Sequence, residues 1–514
     1  MRAIISVSDK TGVTEFARGL AELGYELYST GGTKKIIAGS GIKVKSITEI
    51  TGFDEILDGR VKTLHPMVHG GLLARRDKPE HMDEIKEYGI APIDLVAVNL
   101  YPFRRTVAKE GATIEQALEN IDIGGPTMIR ASAKNYPGVI VVVDPADYTL
   151  VLEKLQNHSL ELDERKKLAQ KAFQHVALYD TAIAQYLRSD EDAFPEEMTI
   201  GLEKRQELRY GENPHQRAAF YSEATTRNAY NSGVTFAEQL WGKEMSFNNI
   251  LDADAAWSTV IDFTDTTVCV VKHTNPCGLA SNPDIVEAYR RAFSGDPVSA
   301  FGGIVAMNRR LTVGVAEEMA STFYEIVIAP EYDKEALDIL MKKKNLRILR
   351  VPLPPDYNSK PIPAFDFRRV KGGLLVQEAD NLPEDSIEMK VATNRKPTSA
   401  ELQDLKFAWR AVKHIKSNAI VMAKNNTLLG MGAGQPNRVV SVFLAKNKAG
   451  DGAKGSVMAS DAMFPFPDSV EQAAEAGITA IIQPGGSVRD QESIDMANKY
   501  NIAMVFTGIR HFLH

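Results

Sequence analysis

Apolar and polar positions alternate in short blocks along the first third of the chain. Ala3 to Val7 is an apolar run of strand length, followed by the polar turn Ser8-Asp9-Lys10-Thr11-Gly12. From Val13 to Leu23 the apolar residues recur at helical spacing, and Gly24 supplies a stop. Tyr25 to Tyr28 reads as the next strand, Ser29-Thr30-Gly31-Gly32-Thr33 as a glycine loop, and the stretch up to Ala38 as a helix. Leu95 to Leu100 and Val139 to Val143 are further strand candidates. Strands separated by helices predict a mostly parallel, doubly wound sheet. Ligands of such sheets sit beyond the carboxyl ends of the strands. Leu168, Ala172, Val176, Tyr179, Ile183 and Leu187 recur at helical spacing and predict one long helix.

The stretch from Ser189 to Glu197 is acidic, carries a proline and has no period, so it reads as a linker between domains 1–196 and 197–514. Beyond it, two segments resemble each other weakly. One has a strand Val268 to Val271, a turn Lys272 to Gly278 and a helix around Ile285 to Phe293. The other has a helix Glu401 to Lys416, a strand Ala419 to Ala423, an Asn425-Asn426 turn and a strand Thr427 to Met431. Asparagine tolerates positive φ, which suits a tight hairpin.

At 514 residues the chain is too long for one core. Its 44% hydrophobic and 25% charged residues are those of a soluble globular protein. No apolar run reaches membrane-spanning length, and the amino terminus enters a strand without a signal region. Two cysteines, Cys269 and Cys277, make no disulfide framework, so a reducing, cytoplasmic setting is expected. A net charge of -7 argues against nucleic acid as a partner. A pocket for a small anion needs only a few local cations.

Such cations stand beside glycine turns. Ser6, Ser8 and Lys10 end the first strand, and Ser29 to Thr33 offers backbone N–H groups at a helix N-terminus. In the stretch Arg60-Val61-Lys62-Thr63-Leu64-His65-Pro66-Met67-Val68-His69, the two histidines suggest a metal pair. Pro66 between them argues against a regular helix, however, and Lys62 is the favoured functional group. Tyr101 closes a strand. Asp122 and Lys134 flank a glycine turn and are expected to lie close together. In the second domain, Glu207 to Gln216 gathers a cation, a phenol and an imidazole in one loop. Lys272 and His273 stand side by side at a strand end, where a neutral imidazole can serve as a base near neutral pH. Pro276-Cys277-Gly278 lacks the second thiolate of a zinc deaminase, so no metal is expected.

The stretches SVSDKTG, STGGT, GRVKTLHP, NLYPF and DIGGPT resemble, in order, the IMP cyclohydrolase domain of the bifunctional purine biosynthesis family. That domain is similar in fold to methylglyoxal synthase. KHTNPCG, SAFGG, KSN, GAGQ with Arg438, SDAMFPFPD and the terminal IRHFLH resemble the family's AICAR transformylase. Its fold is similar to duplicated cytidine deaminase domains without the metal, and the overall class is α/β. The resemblance implies substrate contacts from Ser8, Lys10, Ser29, Thr30, Gly32, Thr33, Arg60 and Thr63 in the first domain. There it gives catalytic roles to Lys62, Tyr101, Asp122 and Lys134, without settling which is acid and which is base. In the second domain it implies a catalytic Lys272, His273 and Asn418. Arg209, Tyr210, Arg438 and Arg510 would hold the nucleotide. Phe301, Gly302, Glu325, Met463 and Asp468 would line the remainder, with Phe301, Met463 and Asp468 facing the folate. Met463 stands where the family can have phenylalanine, and Glu325 where it can have aspartate.

The activity so implied is formyl transfer from 10-formyltetrahydrofolate to the amine of AICAR, then dehydrative closure of formyl-AICAR to inosine monophosphate. It needs no tightly bound cofactor, and the resemblance implies a homodimer. The alternative is a phosphate-lyase-like domain fused to an unrelated nucleotide-binding domain.

Overall fold

The computed structural model describes residues 1–109, 111–188, 193–224, 233–353, 365–383 and 386–514, so the first part of the expected linker, 189–192, lies outside the described residues. The chain forms two compact units. One is Met1–Glu203 with a short return beginning at Tyr221, and the other is Lys204–Phe220 with the remainder from Ala229 to His514. Among the described residues no helix is long and apolar enough to cross a membrane.

In the first unit, strands β1 (Arg2–Val7), β2 (Glu26–Ser29), β3 (Lys45–Ser46), β4 (Leu95–Asn99) and β5 (Ile140–Val142) form a parallel sheet in the order β3-β2-β1-β4-β5. The strand order reverses at β1 and β4, whose ends Val7 and Asn99 are register partners. Connections leave such a switch point in opposite directions and open a crevice between them. Phe16, Leu20, Ile37 and Tyr148 cover one face of the sheet, and Val68, Met128, Ile129 and Val176 the other. A strand buried on both faces reads as a continuous apolar run, as Leu95 to Val98 does. The long helix is Leu162–Leu187.

Pro66 does not interrupt the chain between the two histidines. It opens the helix Pro66–Leu73, at a position where its missing N–H costs nothing. His65 caps that helix by accepting the Met67 N–H through Nδ1 at 3.2 Å.

Strands β6 (Leu202–Leu208) and β7 (Ala218–Glu223) pair as a two-stranded ladder. The second unit continues with β8 (Glu238–Trp241), β9 (Thr267–Lys272), β10 (Asn275–Ser281), β11 (Ile304–Met307), β12 (Ile326–Ala329) and β13 (Arg347–Arg350). Next come the hairpin β14 (Phe365–Val370) and β15 (Gly373–Glu378), then β16 (Lys390–Val391), β17 (Ile420–Lys424), β18 (Thr427–Gly432), β19 (Val457–Ser460), β20 (Ala480–Gln483) and β21 (Ala503–Phe506). Among the described residues, twelve of these strands join one sheet in the order β16-β21-β20-β19-β17-β18-β10-β9-β11-β12-β13-β8.

Read outward from the β10–β18 junction, both directions give the same series. A hairpin partner comes first, then three mutually parallel strands, then an antiparallel edge strand. The helices Phe247–Ile261 and Ser399–Lys413 precede the two hairpins, and Ile285–Gly295 and Arg438–Ala449 follow them. Gly278 and Gly432 let the following helix press on the hairpin. A Cβ at either would stand 2.0 Å from a helix carbonyl, that of Ala292 or Ser441.

The turn after β9 is not Lys272 to Gly278 but the two residues His273 and Thr274, both left-handed at φ 51° and 60°. They reverse the chain at once, so Asn275 already pairs with Lys272, and the irregularity of Pro276 is absorbed by a register shift before Gly278. The later helix ends at Lys413, three residues early, with Thr398 and Glu401 forming a capping box at its start.

Candidate active sites

The first site lies at the β1/β4 switch point, in a cavity of about 790 Å³. Asn99, at the end of β4, accepts the Ser8 and Asp9 N–H groups at 2.6 and 2.8 Å through one oxygen and so holds the loop after β1. Lys10 donates to Thr33 Oγ1 at 2.9 Å and to the Val7 carbonyl, and burial lowers its pKa. Ser6 and Thr30 share a 2.8 Å hydroxyl contact. The helix Gly31–Gly39 begins at Thr30 without a side-chain cap, so its first N–H groups remain available to an anion from the cavity. Ser8, Lys10, Thr30, Gly32 and Thr33 all line the cavity. Ser29 does not. It is fully buried, and its hydroxyl donates to the Ile5 carbonyl at 2.6 Å.

On the opposite wall stand Arg60, Lys62, Thr63, Tyr101 and Asp122. Burial raises the Asp122 carboxyl above its ordinary value, against the Gly125 N–H that it accepts at 2.8 Å and the nearby Lys62 charge. Burial likewise raises the Tyr101 phenol, and the Asp122 charge adds to it. Lys62 lies 3.8 Å from Glu55, and Arg60 pairs with Glu119. Gly125 is required at its position, since a Cβ there would stand 2.5 Å from Asp122 Oδ2.

Lys134 is not beside Asp122. The 11-residue helix Gly124–Lys134 lies between them, a separation of roughly 15 Å, and Lys134 is exposed at its far end. The residue that does hold Asp122 is Tyr179 of the long helix. Its hydroxyl accepts the Asp122 N–H at 2.8 Å and donates to the Asn120 carbonyl at 2.9 Å. Helical spacing marked Tyr179 only as an apolar position, because a hydroxyl reaching 57 residues back leaves no trace in periodicity.

In the second unit, the His273-Thr274 reversal presents Lys272 and His273 at the end of β9. Lys272 donates to the Phe301 carbonyl at 2.9 Å, which brings Phe301 and Gly302 alongside. Asn275 Oδ1 accepts the Lys416 N–H at 3.2 Å and ties the first hairpin to the Lys416-Ser417-Asn418 loop. That loop is tied in turn to the tail, Ser417 N–H donating to the Leu513 carbonyl at 2.9 Å, next to Arg510 and Phe512.

The resemblance assigns Arg438 to holding the nucleotide. It is buried instead, donating to Asn418 Oδ1 at 2.6 Å, to Ser460 at 2.8 Å and to the fully buried Asp461. Its guanidinium is engaged in orienting the Asn418 amide. Glu325, at the foot of β12, accepts from Arg347 at 2.8 Å. Asp468 begins the helix Asp468–Glu475, and Met463 is 43% exposed. Arg209 and Tyr210 follow β6, the guanidinium 5.8 Å over the phenol ring.

The AICARFT/IMPCHase bienzyme family model matches residues 132–448, and an MGS-like domain matches 12–127. The bifunctional purine biosynthesis protein PurH of Bacillus cereus (strain G9842) is 55% identical over 515 residues, covering 100% of this chain and 99% of its own. The chain belongs to the bifunctional purine biosynthesis protein family. PurH of Bacillus thuringiensis subsp. konkukian (strain 97-27) matches equally, at 55% identity and the same coverage. A solved chain described as ForH is 38% identical over 36% of this chain and 96% of its own, at a TM-score of 0.33. The switch-point sheet is thus the family's MGS-like domain. A second domain unrelated to purine synthesis is ruled out, since the bienzyme match runs through the paired hairpins to residue 448.

Proposed function

We propose that domain 197–514 transfers a formyl group from 10-formyltetrahydrofolate to the 5-amino group of AICAR, and that domain 1–196 closes the product to inosine monophosphate. The observation that carries this reading, within a bienzyme family, is the reversal that sets Lys272 and His273 together and is tied to the Asn418 loop. The amine of AICAR is delocalised into its ring and carboxamide, so it is a poor nucleophile. As its nitrogen attacks the formyl carbon, His273 takes the amine proton. Lys272 stabilises the tetrahedral oxyanion and then protonates the folate nitrogen as the old C–N bond breaks. Asn418, oriented by Arg438, supplies an amide at the reacting groups.

Ring closure joins a carboxamide nitrogen to a formyl carbon already on the same molecule, so the first domain mainly holds the two in reacting geometry. The free amides of the Gly31–Gly39 helix, with Ser8 and Lys10, would take the phosphate. Lys62 would stabilise the formyl oxygen, and Tyr101 and Asp122 would move the protons that release water. Tyr179 positions the Asp122 loop. Tyr179→Phe strands a carbonyl and an N–H, and should lower the ring-closure kcat by about tenfold with a stability loss of about 1–3 kcal/mol. Stopped-flow formation of inosine monophosphate and a thermal melt check both.

We further propose a cytoplasmic homodimer with no tightly bound cofactor and no nucleic-acid or membrane partner. Phe301, Met463 and Phe512, at 60%, 43% and 41% exposed, support second-domain sites completed on assembly. The deciding experiment supplies the purified protein with AICAR and 10-formyltetrahydrofolate. Tetrahydrofolate and inosine monophosphate should appear in equal amounts. Absence of tetrahydrofolate, or accumulation of the formyl ribotide, would overturn the reading.

A further inference from the structure

Both hairpins of the second unit rest on an aspartate. In the first, Asp252 of the helix Phe247–Ile261 accepts the Thr274 N–H at 2.7 Å. In the second, Asp404 of the helix Ser399–Lys413 accepts the Asn426 N–H at 2.7 Å. Each aspartate precedes the residue it holds by 22 positions, so the device is built twice in one chain. The turns that they hold differ. Asn425 and Asn426, both at φ 53°, adopt the left-handed region readily, as asparagine does. Thr274 does not: a β-branched threonine at φ 60° is an outlier that persists only where its surroundings over-determine it.

Those surroundings converge on the His273 backbone. Its carbonyl accepts from Thr274 Oγ1 at 2.8 Å and from Asn275 Nδ2 at 3.0 Å, and its N–H also reaches the Asp252 carboxylate. Burial raises the Asp252 carboxyl above its ordinary value, opposed by these N–H groups and by the His273 charge.

We infer that Asp252 is a positioning residue for formyl transfer, fixing the strained turn so that the His273 imidazole is directed at the substrate amine. Asp404 performs the same backbone task in the run without the imidazole. The inference rests on His273 being the base, and the second hairpin supplies an internal control.

The test compares Asp252→Ala, Asp404→Ala, His273→Ala and the double variant Asp252→Ala with Thr274→Gly. Glycine accepts the left-handed turn without a carboxylate beneath it. Asp252→Ala should lower the formyl-transfer kcat on the order of 10- to 100-fold, with the AICAR KM within about threefold and ring closure unchanged. Asp404→Ala should lower the melting temperature comparably and keep that kcat. The double variant should recover the melting temperature while kcat stays low, because glycine relieves the strain at position 274 but leaves the His273 N–H without the carboxylate that holds it. Recovery of both, or equal loss of kcat in Asp252→Ala and Asp404→Ala, would reduce Asp252 to a turn stabiliser and overturn the inference. A full rate in His273→Ala would overturn the base assignment and the inference together. Loss in His273→Ala alone, with Asp252→Ala at full rate, would overturn only the inference.

Discussion

His273→Ala should lower the formyl-transfer rate by at least ~10²-fold, and up to ~10⁴-fold, while ring closure proceeds at its normal rate. The range is that of a general base removed from a nucleophile too weak to react unaided. The imidazole is exposed at its turn and belongs to no buried packing, so truncation removes a proton acceptor without opening a cavity. Its φ of 51° is less favourable for alanine than for glycine, which makes His273→Gly a useful second variant with the same kinetic outcome. Separate assays of tetrahydrofolate release and of closure from preformed formyl ribotide measure the two rates. Loss of both in a folded variant would refute two independent sites.

The reciprocal result is expected from Lys62→Met. Ring closure should fall by about 10²–10³-fold, the usual cost of losing one donor to a developing oxyanion, with formyl transfer untouched. A pH effect should accompany it. The Lys62 charge now pulls the Asp122 carboxyl down against the upward push of burial. Without that cation the neutral acid is favoured, so the Asp122 titration should move to higher pH. The pH profile of the residual ring-closure kcat/KM reports the move, and a displacement to lower pH would contradict the placement of Lys62 beside Asp122.

How much of this was legible depended on where each signal resides. Strand ends and glycine turns are local, and Ser8, Lys10, Thr30 to Thr33, Lys62 and Tyr101 did meet at one cavity. The Asn425-Asn426 hairpin was legible because asparagine advertises a left-handed turn. Its counterpart was misread as longer because Thr274 does not carry that signal, while Asn275-Pro276 and Gly278 suggest a loop. Pro66 was read as a break because its role depends on being first in its helix. Lys134 was read as a neighbour of Asp122 because the glycines before it hid a helix. Arg438 has the composition of a phosphate fork. That it is spoken for depends on Asp461, which no local pattern connects to it.

The twelve-stranded sheet holds its two hairpin runs together through one shared apolar face. On one side of the sheet, Trp257, Leu405, Trp409 and Val412 pack in a single apolar layer drawn from both hairpin runs, whereas on the other side each run keeps a layer of its own. A cut between β13 and β16 would therefore not release two self-sufficient pieces. Each fragment would carry its helix with the indole side turned to water, and would associate with its counterpart or precipitate.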